Sequence, residues 1–147
     1  MHLRAAKTSD LELTYRIKSK SIKPYVEKIW GWNEPNQRKI HNQSFNANDT
    51  KLIEYHKQYI GFLVIKETDN EIYIENLLIA MEFQNLGIGK TIMEQIVKSA
   101  DFKKKRIRLK VFKINTKAQR FYENFGLEKI SEMENHIEME KTSQNTT

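Results

Sequence analysis

The stretch FQNLGIGK, residues 83–90, follows the apolar run IYIENLLIAM and precedes an amphipathic segment. Gly87 and Gly89 stand one residue apart there. Such spacing lets backbone N–H groups from about Leu86 to Thr91 turn toward one point at a helix start, where the helix dipole adds positive charge. Lys90 adds a screening cation. The chemistry that suits such a nest is the holding of a pyrophosphate without a metal. An ordinary glycine-containing helix start fits the same residues.

Two nucleotide chemistries fail on spacing. Gly89-Lys90-Thr91 matches the end of a P-loop, but the required first glycine falls on Gln84, and no aspartate closes a neighbouring strand to hold magnesium. The dinucleotide fingerprint needs a third glycine where Ile92 stands.

The elements around the loop follow from hydrophobic periodicity. Leu11–Ile17 alternates and reads as a first strand; Ile22–Trp30 reads as a helix with Pro24 near its start, ended by Gly31. Asn33 caps a weaker second helix with Pro35 in its first turn. Thr50–Tyr55 and Tyr59–Lys66 form a hairpin around HKQ, with Gly61 a close-approach or bulge position. Ile72–Ile79 is the most apolar strand and hence central. Gly87–Ala100 is a helix whose Ile88, Ile92, Met93, Ile96, Val97 and Ala100 share a stripe. Ile107–Phe112 is the next strand. Asn115 or Thr116 caps a short helix that carries Ala118, Phe121, Tyr122 and Phe125 inward and is closed by Gly126. Leu127–Ser131 and His136–Glu140 finish as strands before a polar tail, frayed over about 142–147.

This order predicts one α/β domain over 1–147, a mixed sheet with helices on its faces. The 72–79, 88–102, 107–112 unit is a right-handed crossover, so its two strands are parallel neighbours. Ligands in such sheets collect at the carboxyl ends of parallel strands, where the Gln84–Gly89 loop begins.

Composition narrows the partners. The 147 residues contain no cysteine, which excludes disulfides, thiolate metal sites and cysteine nucleophiles. His2, His41, His56 and His136 are scattered without metal-ligand spacing. No apolar stretch approaches the ~20 residues of a membrane span, and MHLRAAKTSDLEL lacks the apolar core of a secretory signal, so a cytoplasmic location is expected. The net charge of +6 favours anionic partners.

Four further features stand in line with the loop: Gln84 three residues before Gly87, Asn115 before a helix with Ala118, Tyr122 after Phe121, and Phe125-Gly126-Leu127 at the helix end. FQNLGIGK resembles the acyl-CoA-binding Q-x-x-G-x-G/A motif of the GNAT superfamily of N-acetyltransferases, and NTKAQRFYENFGL resembles its second cofactor motif, N-x-x-A-x-x-x-Y-x-x-x-G-F/L. The similarity extends over essentially the whole chain. Met81 stands where the family usually has proline, and Leu127 is a tolerated variant of phenylalanine.

The resemblance implies a GNAT fold, with a mixed, mostly antiparallel sheet whose parallel strands 72–79 and 107–112 splay apart to admit acetyl-CoA. It assigns the pyrophosphate to Gln84–Thr91, with Leu86 and Gly87 in the loop and main-chain groups of Ile88, Gly89, Lys90 and Thr91 as donors. The pantetheine arm would pair with backbone from Ile79 to Met81, a backbone N–H there would meet the oxyanion, and Asn115 and Ala118 would lie against the cofactor. Tyr122 matches the family tyrosine near the sulfur, a candidate acid for the departing thiolate; a plain core aromatic is the competing reading.

The base is open. Glu75 interrupts an apolar strand and is the first candidate, with a solvent-facing sheet position as the alternative. Glu34 is the second, in WGWNEPNQRK, the connection that forms one wall of the acceptor site in the family layout. Trp32 and Gln37 (or Arg38) could contact the acceptor there, with Trp30 in the core and Trp32 exposed. The expected activity is transfer of acetyl to a primary amine by direct attack in a ternary complex. A non-catalytic acyl-CoA-binding module is the alternative. A nucleic-acid domain built on KKKRIRLKVFK is less favoured, since no recognised fold signature accompanies the run. A homodimer through 127–141 is a further expectation.

Overall fold

The computed structural model describes residues 1–143, so the frayed tail expected over 142–147 lies, from residue 144 on, outside the described residues. The strands are β1 (His2–Ala5), β2 (Thr50–Tyr55), β3 (Gln58–Glu67), β4 (Glu71–Ile79), β5 (Arg106–Phe112), β6 (Glu128–Glu132) and β7 (His136–Lys141). The α-helices are α1 (Leu11–Trp30), α2 (Glu34–Ser44), α3 (Ile88–Lys103) and α4 (Thr116–Glu123). The sheet order is β1-β2-β3-β4-β5-β7-β6, mostly antiparallel, with β4 and β5 parallel as the crossover requires. That parallel ladder runs from Glu71–Arg106 to Ile74–Leu109, whereas β5 pairs with β7 as far as Phe112–His136.

Leu11–Ile17 corrects the sequence reading. It is not a strand but the opening of one 20-residue helix that runs through Pro24 to Trp30. The alternation in LTYRI is too short to separate a period of 2 from one of 3.6. The buried set Thr14, Tyr15, Ile17 and Val26 fits helical faces, and the Thr14 hydroxyl donates back to the Asp10 carbonyl at 2.9 Å, the i−4 bond open only to a helical threonine. The true first strand, HLRA, is four residues long and carries no readable period.

The chain divides into two compact units. The first comprises Met1–Val64 and Asn76–Ile88. Its apolar cluster is Ile17, Leu52, Phe62 and Val64, with Leu13 and Leu78 packed on it. Asn33 caps α2 by accepting from the Asn36 N–H at 3.0 Å, and Pro35 sits in the first turn where its missing N–H costs nothing. His41 is buried and ties α2 to α1, its Nε2 lying 2.9 Å from the Thr14 hydroxyl and 3.2 Å from the Leu11 carbonyl. Burial, with Lys18 adding to it, holds the His41 pKa below its ordinary value, so the helix pair is joined by a neutral imidazole.

The second unit comprises Ile65–Glu75 and the chain from Gly89. Ile92, Met93, Ile96 and Ala100 are buried along α3, as the stripe predicts. The helix stops where Lys104 adopts φ 56° and the Lys105 N–H returns to the Ala100 carbonyl at 2.8 Å, a Schellman-type end. In β5, Ile107, Leu109 and Val111 are buried and the basic residues alternate with them. Glu71 collects two of these cations: Arg106 Nε donates at 3.1 Å, and Arg108 donates through Nε at 2.8 Å and through a terminal nitrogen at 3.1 Å.

Candidate active site

The loop from Ile79 to Ile88 is closed by short-range bonds. A 3-10 turn spans Met81–Phe83, and the Gln84 side-chain amide donates to the Ile79 carbonyl at 2.9 Å. The Ala80 N–H donates to the Ile60 carbonyl at 2.7 Å, fixing the end of β4 to β3. Asn85 and Gly87 adopt φ of 64° and 82°, so the chain turns twice through the left-handed region before α3 starts. Ile88, Gly89 and Lys90 open that helix, and helix geometry gives their N–H groups no carbonyl within the helix to receive them. Thr91 completes the first turn.

That turn contains no acid, and it does contain Lys90, which is exposed. A cation at a helix N-terminus opposes the dipole and costs the isolated helix a few tenths of a kcal/mol, roughly 0.3–1 kcal/mol at most exposed sites. The arrangement becomes favourable once an anion sits between the lysine and the N–H groups. Met81 and Leu86 are exposed on the loop, Met81 to 69%, while Ile88 is buried and anchors it.

The candidate acceptor residues fall into one cluster of the first unit. Glu34 accepts from the Trp32 indole N–H at 2.8 Å and from the Tyr15 hydroxyl at 2.8 Å. Arg38 reaches the same carboxylate at 3.3 Å, binds Glu12 through two nitrogens at 2.8 and 3.1 Å, and stacks 4.3 Å from the centre of the Tyr15 ring. The indole and phenol bonds hold the Glu34 carboxyl below the usual carboxylate range, and burial followed by the Glu34 contact pushes the Tyr15 phenol up to about 12. With both oxygens engaged and its charged form favoured, Glu34 is a poor proton acceptor and a good brace between α1 and α2. Gln37 is half-buried one turn along.

The two tryptophans exchange the places expected from sequence. Trp30 is 60% exposed, whereas Trp32 is half-buried, held by Glu34 with Lys23 Nζ 5.7 Å from its ring centre. The reason is the longer helix. Counted from Leu11, Trp30 lies about 100° from the inward line through Leu11 and Ile29, on the edge that carries Glu12 and Lys23. Tyr15 as the partner of Glu34 was hidden by the same misread period.

In the second unit, Glu75 lies on the face of β4 that also carries Glu71 and Tyr73. It is half-buried, its side chain 32% exposed, and forms an ion pair with Lys66 at 3.6 Å. Asn115 uses its side-chain oxygen to cap α4, accepting from the Ala118 N–H at 3.0 Å. Tyr122 is buried to 9% exposure on the inward face of α4 and meets Phe121 edge-on at 5.2 Å. Burial alone pushes its phenol up to about 12. The basic run does not present a bare cationic surface: Lys103 and Lys105 both hold Glu67, at 2.9 and 2.6 Å, and Arg106 and Arg108 hold Glu71. Among the described residues no group of three or more His, Cys, Asp or Glu side chains could hold a metal ion, and no helix is long and apolar enough to cross a membrane.

A family model described as the acetyltransferase (GNAT) family matches residues 11–127, most of the chain. The chain belongs to this family.

The acetyltransferase also shares its fold with solved structures at low identity. The PaiA N-acetyltransferase of Thermoplasma acidophilum, crystallised with coenzyme A, is 20% identical, with a TM-score of 0.78 over 96% of this chain and 98% of that one. An acetyltransferase from Thermus thermophilus is 16% identical, with a TM-score of 0.74 over 96% of each chain. The ribosomal-protein-S18-alanine N-acetyltransferase of Escherichia coli is 14% identical, with a TM-score of 0.69 over 99% and 98%. No curated protein matches the sequence. The family makes the protein an acetyl-CoA-dependent acyltransferase.

Proposed function

We propose that this acetyltransferase, acting as one catalytic domain, moves the acetyl group of acetyl-CoA to a primary amine by direct attack in a ternary complex. The observation that carries the cofactor half is the Lys90-bearing, acid-free start of α3 behind the Asn85–Gly87 turn, since it is built for an anion rather than for the helix. The pyrophosphate rests on the N–H groups of that turn and the loop before it. The pantetheine arm runs along the main chain between Ile79 and Met81, and Asn115 and Ala118 line the cofactor from the start of α4.

The chemistry is positioning plus proton management. Tyr122, with its proton held far above neutral pH, donates it to the departing thiolate. Glu75 is the group proposed to receive the amine proton, because among the described residues its carboxylate is ion-paired to Lys66 alone, whereas Glu34 is committed to Trp32, Tyr15 and Arg38. Trp32, Glu34 and Gln37 then form a wall for the acceptor rather than its base. Direct transfer needs no covalent enzyme intermediate, in line with a sequence that has no cysteine.

Initial velocities measured by thiol release, against a panel of polyamines, amino acids, aminoglycosides and peptide amines, test this reading. Intersecting double-reciprocal lines are expected. Parallel lines would mark a covalent acetyl-enzyme and overturn it.

A dimer through 127–141 would use β6, an edge strand of the sheet, all of whose residues are exposed. Light scattering at twice the 17.5 kDa chain mass is the expected reading, and the monomer mass would exclude it. A cytoplasmic location fits a cysteine-free chain that uses acetyl-CoA; recovery from a membrane or exported fraction would contradict it.

A further inference from the structure

Gly61, in β3, has no part in the cofactor motifs, yet the end of β4 depends on it. A Cβ placed there would overlap the Leu78 carbonyl oxygen and lie 3.1 Å from both the Leu78 carbonyl carbon and the Ile79 Cα. Side-chain positions on a strand project from the sheet rather than along its hydrogen bonds. A carbonyl at that point has therefore left the plane of the ladder and lies over the glycine. The described peptides are all trans, so the Ile79 N–H points opposite to the Leu78 carbonyl, away from β3.

The next peptide is fixed at both ends. Its carbonyl, that of Ile79, accepts from Gln84 Nε2 at 2.9 Å, and its N–H, that of Ala80, donates to Ile60 at 2.7 Å. The two peptides flanking Ile79 are thus set by Gly61 on one side and Gln84 on the other.

We propose that Gly61 and Gln84 are positioning residues that act through the main chain of Ile79: Gly61 by leaving room for the Leu78 carbonyl, Gln84 by pinning the Ile79 carbonyl. Together they turn the Ile79 N–H toward the thioester carbonyl of acetyl-CoA. The inference rests on the acetyl-transfer reading above and adds the residues that aim its oxyanion donor. In the transfer, the amine nitrogen forms a bond to the carbonyl carbon and the carbonyl π pair moves onto oxygen, where the Ile79 N–H meets it. The pair then returns as the carbon–sulfur bond breaks and the thiolate leaves. A donor lost from such a site costs about 10²–10³ in rate.

The test needs no acceptor. Isotope-edited infrared spectroscopy of acetyl-CoA labelled with 13C at the thioester carbonyl reads the carbonyl stretch when bound to the wild-type protein, to Gly61→Ala and to Gln84→Met. The expected result, read at saturating acetyl-CoA so that affinity and stretch are separated, is a stretch lowered on wild-type binding, returned to the free value in Gly61→Ala and partly returned in Gln84→Met. A merely structural role would lower affinity and melting temperature together and leave the bound stretch in place.

A wild-type stretch equal to that of free acetyl-CoA, or a lowered stretch retained in Gly61→Ala, overturns the inference. If Gly61→Ala does not fold, an unchanged stretch in Gln84→Met overturns it, and a partly returned stretch supports it. Failure of wild-type protein to bind acetyl-CoA at all is a different outcome, and removes the function reading with it.

Discussion

Tyr122→Phe lowers kcat about 10²-fold, while the acetyl-CoA dissociation constant changes less than about twofold. Placed proton donors contribute about 10²–10⁴, and a thiol is a good leaving group, so the low end is expected. The wild-type phenol is pushed up to about 12 by burial, so it carries its proton throughout the range in which an amine becomes nucleophilic. The sign follows directly: a raised phenol pKa keeps the donor form filled as pH rises, and no loss of rate from this group is expected below about pH 11. The measurement is steady-state thiol release with the best amine from the acceptor panel, beside a binding titration. A kcat within threefold of wild type would reduce Tyr122 to a core aromatic beside Phe121. Loss of binding instead would make it a packing residue of the cofactor site.

Glu71→Ala is the second large effect, and it falls on stability. Glu71 is buried, and its carboxylate takes three donor contacts from Arg106 and Arg108. Removing one partner of a buried pair costs about 3–5 kcal/mol, but Arg106 is 48% exposed and rehydrates readily. A loss of about 2–3 kcal/mol by urea unfolding is the expected result. Arg108, then Arg106, holds the Glu71 carboxyl below its ordinary range. The native carboxylate therefore binds fewer protons than the unfolded one, so its contribution is complete above the ordinary glutamate value of about 4.5 and fades as pH falls toward the lower native one. The Ala variant flattens that acid limb. A change under 0.5 kcal/mol with the acid limb intact would mean that the arginines are held by Glu138 and Glu140 alone.

The turn, the helix start and the cap in the two motif stretches were legible because they are local. FQNLGIGK states its glycine turn and its helix start within eight residues, and Asn115 with Ala118 is a cap written in the sequence. β3, β4, α3 and β5 were equally plain, since long apolar periods leave little choice. What the residues could not give were relations set by partners far along the chain. Trp30 and Trp32 exchanged roles once the misread Leu11–Ile17 became the first two turns of α1, and Glu34 ceased to be a free carboxylate once Tyr15 faced it across 19 residues. Gly61 was visible as a close-approach position, but its neighbour, the Leu78 carbonyl, belongs to another strand. Glu71 gave no signal, because its meaning depends on cations 35 and 37 residues away.

The most direct test of the central claim is isothermal titration of the wild-type protein with acetyl-CoA, repeated on Gly89→Trp. Gly89 lies in the first turn of α3, where an indole would cover the N–H groups proposed to receive the pyrophosphate. One saturable site in the wild-type protein, weakened at least about 100-fold in a Gly89→Trp variant that keeps its circular dichroism, is the expected result. Equal affinity in both proteins would place the phosphates somewhere other than the Gln84–Thr91 loop, and no binding to the folded wild type would contradict the account at its root.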